Sequence, residues 1–167
     1  MCLIVDNNVA SLVLVTPDPA YQPVSDALFK SRTAQVVHGG HLTDEYGPNV
    51  KARLRMLDQI GGVRVLPDAE VRSKTAELLA SGLCQSDDPH VLAVAWVSKA
   101  RLLCSDDDLL TADFKNPRLL PKPRGNVCHS SKKEGASARR QDVAALLQKH
   151  CKGTRAGVHS RLPQAKK

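Results

Sequence analysis

Aromatic side chains are scarce in this 167-residue chain, which has one Trp, two Tyr and two Phe. A nucleic-acid surface built from several stacked rings is therefore excluded, and the core has to be aliphatic. Long apolar runs are missing too. Nothing approaches the roughly 18–20 residues that cross a bilayer, so no membrane partner is expected. The amino-terminal MCLIVDNN lacks the basic stretch and following apolar run of a secretory leader. The five cysteines (Cys2, Cys84, Cys104, Cys128, Cys151) are odd in number and widely spaced, with no Cys-x-x-Cys pair. That argues against a disulfide framework and against a structural zinc site. The expectation is a soluble protein of the reducing cytoplasm.

What is present is enough apolar material for one domain: 42% of residues are hydrophobic and the mean hydropathy is −0.27. The net charge of +7 conceals a segregation. Residues 1–114 carry −5, whereas residues 115–167 carry +12, with Glu134 and Asp142 their only acids. An acidic body thus bears a basic tail, and such a tail suits sequence-independent contact with phosphates.

Short apolar runs alternate with helical stretches along the body. CLIV (2–5), AQVV (34–37), VRVL (63–66) and RLLC (101–104) suit buried strands. The segments 9–15, 25–30, 41–60, 69–82, 88–100 and 106–114 suit helices, with Pro48 dividing the third. Trp96, mid-helix among Val and Ala, reads as core. The expected fold is α/β: a three-layer α/β/α sandwich around a central, mainly parallel sheet of four or five strands. Residues 115–134, rich in Pro and basic residues, read as an extended connector, and 136–151 as an amphipathic helix.

Acids fall where this topology would gather them. Asp6 ends the first strand, Asp106 follows the fourth, and Asp88 opens the helix before it. Glu45 lies in the helix after the second strand. Clustered carboxylates raise one another's pKa, so a hard cation such as Mg²⁺ or Mn²⁺ is their natural occupant. Each acid also has a plainer role: Asp6 and Asp88 as helix caps, Glu45 on a solvated face, the 106–108 run as a helix start.

MCLIVDNN, TDEY, DDPHVLAVA and ARLLCSDDDLLTADF together resemble the successive signatures of the PIN domain family over roughly residues 1–118. In that family an aspartate ends strand one with a small polar residue two places on, here Asp6 and Asn8. A mid-chain glutamate corresponds to Glu45, and an aspartate five residues before a helical alanine to Asp88 and Ala93. The T-x-D-x-D-L segment corresponds to CSDDDL, placing Asp106 and Asp108 at its acids. Cys104 departs from the family's Thr, a loss that Ser105 can make good.

The resemblance implies a divalent-metal-dependent endoribonuclease. Asp6, Asp88 and Asp106 would hold Mg²⁺ or Mn²⁺ with Glu45 and Asp108, and Asn8 would orient Asp6. His90 would contact phosphate or assist proton transfer. The tail lies outside the resemblance; from its charge, Lys122, Arg124, Lys132, Lys133, Arg139 and Arg140 would hold the RNA backbone, beside the plainer readings of a solubilising tail or a helix that docks on the body or a protein partner. Residues 1–120 would form the nuclease domain and 121–167 a basic extension with a disordered end. A protein inhibitor or antitoxin and a second copy of the chain are further partners in this reading, which includes the toxin of a toxin–antitoxin or defence system. Two alternatives stand beside it: a non-catalytic RNA- or protein-binding module on the same fold, and a nuclease acting on DNA.

Overall fold

In the computed structural model, residues 2–133 and 143–153 are described. The elements follow in the order β1 (Leu3–Val5), a 3-10 turn (Asn7–Val9), α1 (Ala10–Leu14), α2 (Gln22–Phe29), β2 (Val36–His38), α3 (His41–Glu45), α4 (Pro48–Gln59), β3 (Val63–Val65), α5 (Asp68–Ala80), α6 (Pro89–Ser98), β4 (Leu102–Cys104), α7 (Asp108–Phe114), β5 (Asn126–Cys128) and α8 (Val143–Cys151). All strand pairs are parallel, in the order β3-β2-β1-β4-β5. The architecture is α/β with a five-stranded parallel sheet.

The strands are short because few residues are apolar in succession, yet β1, β2 and β4 are buried along their whole length. A parallel sheet covered on both faces demands such continuous apolar strands. Its connections run one way from β1 to β3 and the other way from β3 to β5. With right-handed crossovers, this places α1, α2 and α4 on one face and α5 and α6 on the other. Helix α8 joins the first group by packing on α2 and β4. Helix α6 is apolar on every side, and Pro89 through Ala95 are all buried against β1, β2 and α5. Two of the few aromatics, Tyr21 and Phe114, are completely buried in the core.

Trp96 is only half-buried. Its ring lies between the ammonium groups of Lys74 (3.9 Å) and Lys99 (4.4 Å), where the cations meet its electron-rich faces. The indole therefore covers the α5–α6 seam instead of filling the core. Cys104 and Cys128 stand in register on β4 and β5, and Cys2 and Cys151 are likewise buried free thiols.

The largest departure from the sequence reading is β5. Residues 115–134 are not a plain connector, because Asn126–Cys128 completes the sheet beside β4. A domain boundary at residue 120 would cut that sheet. Arg101, buried, ties the approach down: its guanidinium donates to the carbonyls of Ala95 and Ala100 at 2.7 and 2.8 Å and to those of Pro121 and Pro123. Leu119 and Leu120 are buried as well, and Tyr21 Oη donates to the Cys128 carbonyl at 3.1 Å. A three-residue strand approached through prolines offers no periodicity to read. Of the helix expected over 136–151, residues 143–151 are helical; 136–142 and the end expected to be disordered lie outside the described residues. Among the described residues no helix is long and apolar enough to cross a membrane.

Candidate metal centre

The chain reverses its direction of progress across the sheet between β1 and β4. In open parallel sheets this reversal leaves a crevice beyond the carboxyl ends of the two strands. Asp6 follows β1 directly and Ser105–Asp107 follow β4, so the topology delivers both to the same crevice. The Asp6 N–H bonds the Cys104 carbonyl at 2.9 Å, which locks the two strand ends together.

Asp6 is 4% exposed and accepts a 2.7 Å hydrogen bond from Ser105 Oγ on its Oδ2. Burial, reinforced by the nearby Asp88 charge, pushes its carboxyl up to about 6, against the pull of the Ser105 bond and of the N–H groups of Asn7 and Asn8. Asn8 thus acts on Asp6 through its backbone; its side chain is exposed. Asp88 occupies the cap position of α6, yet its side chain makes no capping bond. Its carboxyl is raised by burial, lowered by His90, and raised again by Glu45, Asp107 and Asp87. The plain capping role therefore does not account for Asp88.

Glu45 is the last residue of α3. Gly39 and Gly40 let that helix begin directly after β2: Gly40 has φ +57°, and a Cβ there would come within 2.7 Å of Val71 Cγ1. Tyr46 then anchors the helix end, its hydroxyl donating to the Val5 carbonyl one residue before Asp6. The Glu45 carboxylate meets His90 Nε2 at 3.1 Å on Oε2 and His41 Nε2 at 3.5 Å on Oε1.

His90 is 4% exposed, with Nε2 turned toward Glu45 and 3.9 Å from Asp88 Oδ1. The expected phosphate contact would require the ring, buried against these carboxylates, to turn outward. His41, exposed at the rim, stands edge-on to it with ring centroids 5.1 Å apart.

The structure brings Asp6, Glu45 and Asp88 together but directs Asp106 elsewhere. The chain leaving β4 is extended, so successive side chains alternate sides. Ser105 and Asp107 share one side: Ser105 Oγ donates to Asp6 and accepts from the Asp107 N–H at 3.0 Å. Asp107 is the residue of this run that bears electrostatically on Asp88, and its Oδ1 also caps α7 by accepting from the Leu110 N–H at 2.6 Å. Asp106 lies on the other side, where its two carboxylate oxygens accept from the Ser130 N–H (2.8 Å) and Oγ (2.6 Å). Asp108, with an 80% exposed side chain, pairs with Lys133 at 2.8 Å. Of the three aspartates after β4, Asp107 is thus the one whose charge acts on Asp88, and Ser105 supplies the hydroxyl bonded to Asp6. The resemblance aligns Cys104 with the family's threonine; taking Ser105 as that hydroxyl puts Asp107 at the motif's first acid and Leu109 where its second would fall.

The basic candidates divide between the two ends of the sheet. Lys132 and Lys133 follow β5 at its carboxyl end, and Lys133 is committed to the Asp106 carbonyl (2.7 Å) as well as to Asp108. Lys122 and Arg124 precede β5 at its amino end, where Arg124 lines a 310 Å³ cleft with Lys115, Asn126 and Lys149. They stand at the opposite end from the carboxylates. Arg139 and Arg140 lie outside the described residues.

Two other acids, unnoticed in the sequence, shape the surroundings. Asp113 is fully buried and its Oδ2 accepts from the N–H groups of Gln85 (2.8 Å) and Ser86 (2.9 Å) and from Ser86 Oγ, holding the loop that delivers Asp88. Asp18 accepts from the Ser131 N–H (2.8 Å) and Oγ (2.6 Å) and so fastens the segment after β5.

The donor set suits a divalent cation. The Asp88 charge bears on Asp6, those of Glu45 and Asp107 bear on Asp88, and among the described residues no lysine or arginine pairs with these four. Ligand atoms of Glu45, Asp88 and His90 all lie within 4.8 Å of one another.

No family model matches the sequence, and no curated protein matches it. Among solved structures, the chain is similar to one in the crystal structure of VapBC2 from Rickettsia felis bound to a DNA fragment from their promoter. The identity is 12% and the TM-score 0.44, over 78% of this chain and 99% of that one. Likeness at this level carries nothing about residues or activity, and the α/β assignment rests on the sheet described above.

Proposed function

We propose that the protein is a divalent-metal-dependent endoribonuclease whose centre is formed by Asp6, Glu45, Asp88 and Asp107. The observation that supports this most is the gathering at the carboxyl end of a parallel sheet of acids from distant segments whose charges act on one another, with no lysine or arginine among the described residues paired with them. Such a cluster is costly unless a cation occupies it. The sequence resemblance to PIN domains points the same way.

A Mg²⁺ or Mn²⁺ ion held there would supply Lewis-acid stabilisation of the phosphodiester and a water nucleophile usable near neutral pH. The chain's own residues do the rest. Ser105 fixes the Asp6 carboxylate, and Asp113 fixes the loop bearing Asp88. Gly40 and Tyr46 fix the helix that presents Glu45. Lys132, following β5 at the carboxyl end of the sheet, supplies positive charge for the phosphate backbone. RNA is the proposed substrate. A protein inhibitor, as in a toxin–antitoxin or defence pair, is the proposed regulator.

The test is cleavage of labelled RNA and DNA with Mg²⁺, Mn²⁺ or EDTA, alongside Asp6→Asn, Asp88→Asn and Asp107→Asn proteins. RNA cleavage that needs the metal and disappears in all three is the expected result. Cleavage that survives EDTA and the substitutions, or no cleavage of any substrate, overturns the reading.

A further inference from the structure

The cluster is not made of carboxylates alone. We propose that His90 Nε2 is a direct ligand of the bound cation, making Glu45, Asp88 and His90 a mixed nitrogen–oxygen subsite that prefers Mn²⁺ to Mg²⁺. This rests on reading the acidic cluster as a cation site, and goes beyond it by assigning a nitrogen ligand and the class of ion.

The spacing carries the argument. His90 Nε2 is 3.1 Å from Glu45 Oε2 and 3.9 Å from Asp88 Oδ1. Two donors at right angles around a small divalent ion with bonds of about 2.1 Å stand about 3.0 Å apart. The three side chains therefore need little movement to close on one ion. The ring is also held in advance: it sits on the first turn of α6, 4% exposed, with His41 edge-on against it. A buried ring in a fixed orientation loses little entropy on coordination.

Asp88 stands between two different surroundings. Asp6 and Asp107 lie near it as oxygen donors only, whereas Glu45 and His90 offer oxygen and nitrogen. Imidazole suits first-row transition ions, while Mg²⁺ keeps to oxygen. The mixed corner thus discriminates between ions that a purely carboxylate cluster would treat more alike.

Mn²⁺ alone, added to the full chain, is the probe. Pulsed electron paramagnetic resonance is expected to show modulation from a directly bound ¹⁴N nucleus. His90→Gln is expected to abolish it and to lower the Mn²⁺:Mg²⁺ affinity ratio by about tenfold in calorimetry, at the lower end of effects on metal-site affinity. His41→Gln should retain the modulation. Bound Mn²⁺ without ¹⁴N modulation in the unmodified protein overturns the inference while leaving the cation site intact. Modulation that persists in His90→Gln overturns it equally. An unmodified protein that binds neither ion overturns the site itself. The unmodified protein's spectrum decides the matter even if His90→Gln does not fold.

Discussion

The acids on the two sides of the β4 exit carry the same charge and live under opposite conditions. On one side, Asp18 and Asp106 each accept an N–H and a hydroxyl from a serine of the segment after β5, and Asp108 takes a lysine. Hydrogen bonds from Ser131 hold the Asp18 carboxyl below the usual carboxylate range against the effect of burial, and Lys133 does the same for Asp108. On the other side, Asp6 and Asp88 are both raised, with burial and neighbouring carboxylates outweighing their few donors. Acids that fasten the fold have found their donors within the chain. Asp6 and Asp88 have too few to offset burial and like charge.

That contrast is broken most severely at Asp88. Asp88→Asn should reduce metal-dependent cleavage by roughly a thousandfold, about 4 kcal/mol of transition-state stabilisation, in single-turnover assays. Asp107→Asn should also depress cleavage strongly while Asp106→Asn leaves most of it, and the reverse result would restore the register expected from sequence. Next comes Asp113, whose truncation to Ala orphans the buried N–H and hydroxyl of Ser86 and the N–H of Gln85. A loss of about 3 kcal/mol in urea unfolding is expected, with weaker Mn²⁺ binding as the Asp88 loop loosens.

The Asp6 pKa sharpens the comparison through pH. With its folded value at about 6 against an ordinary 3.8, the native protein binds this proton more tightly than the unfolded chain. The Asp6 contribution therefore favours the metal-free fold at low pH and is lost as pH rises through about 6, by at most about 3 kcal/mol. Unfolding of the unmodified and Asp6→Asn proteins at pH 4.5 and 7.5 measures it, and equal pH responses would refute it. Mn²⁺ affinity should fall as pH drops below about 6, because the ion competes with that proton. Asp18 has the opposite sign: its contribution is present above its unfolded pKa and is lost on acidification. On the fastening side, Asp106→Ala should cost about 1–2 kcal/mol through the two Ser130 bonds. Smallest is Asp108→Asn, which removes an exposed pair and should leave the unfolding midpoint unchanged within error.

The first four strands and the division at Pro48 are legible in the sequence because each follows from apolar runs or from a proline within a helical stretch. Asp106 misled because three consecutive aspartates look alike in one dimension. Only the alternation of an extended chain, with Ser105 reaching Asp6, decides which of them turns toward the cluster. β5 was hidden because its place in the sheet is secured by Arg101 and Tyr21, residues distant in sequence whose partners are backbone carbonyls. His90 was visible as a residue, but its burial was not: α6 is apolar all round, so no polar face marked where the ring would turn.

The central position of β1 gives it two neighbours far apart in sequence. Leu3 pairs with Val36 on one flank and with Leu102 on the other. Until β4 docks, β1 presents an open apolar edge, the kind of surface on which nascent chains pair wrongly. Contacts so far apart in sequence form slowly, since a long loop must close before any of them is gained. Ser105 and Asp107 arrive only with β4, so the four acids first meet when the sheet is nearly complete. Cation uptake would then be among the last events of folding, and would act as a clasp on a finished sheet rather than a nucleus for an unfinished one.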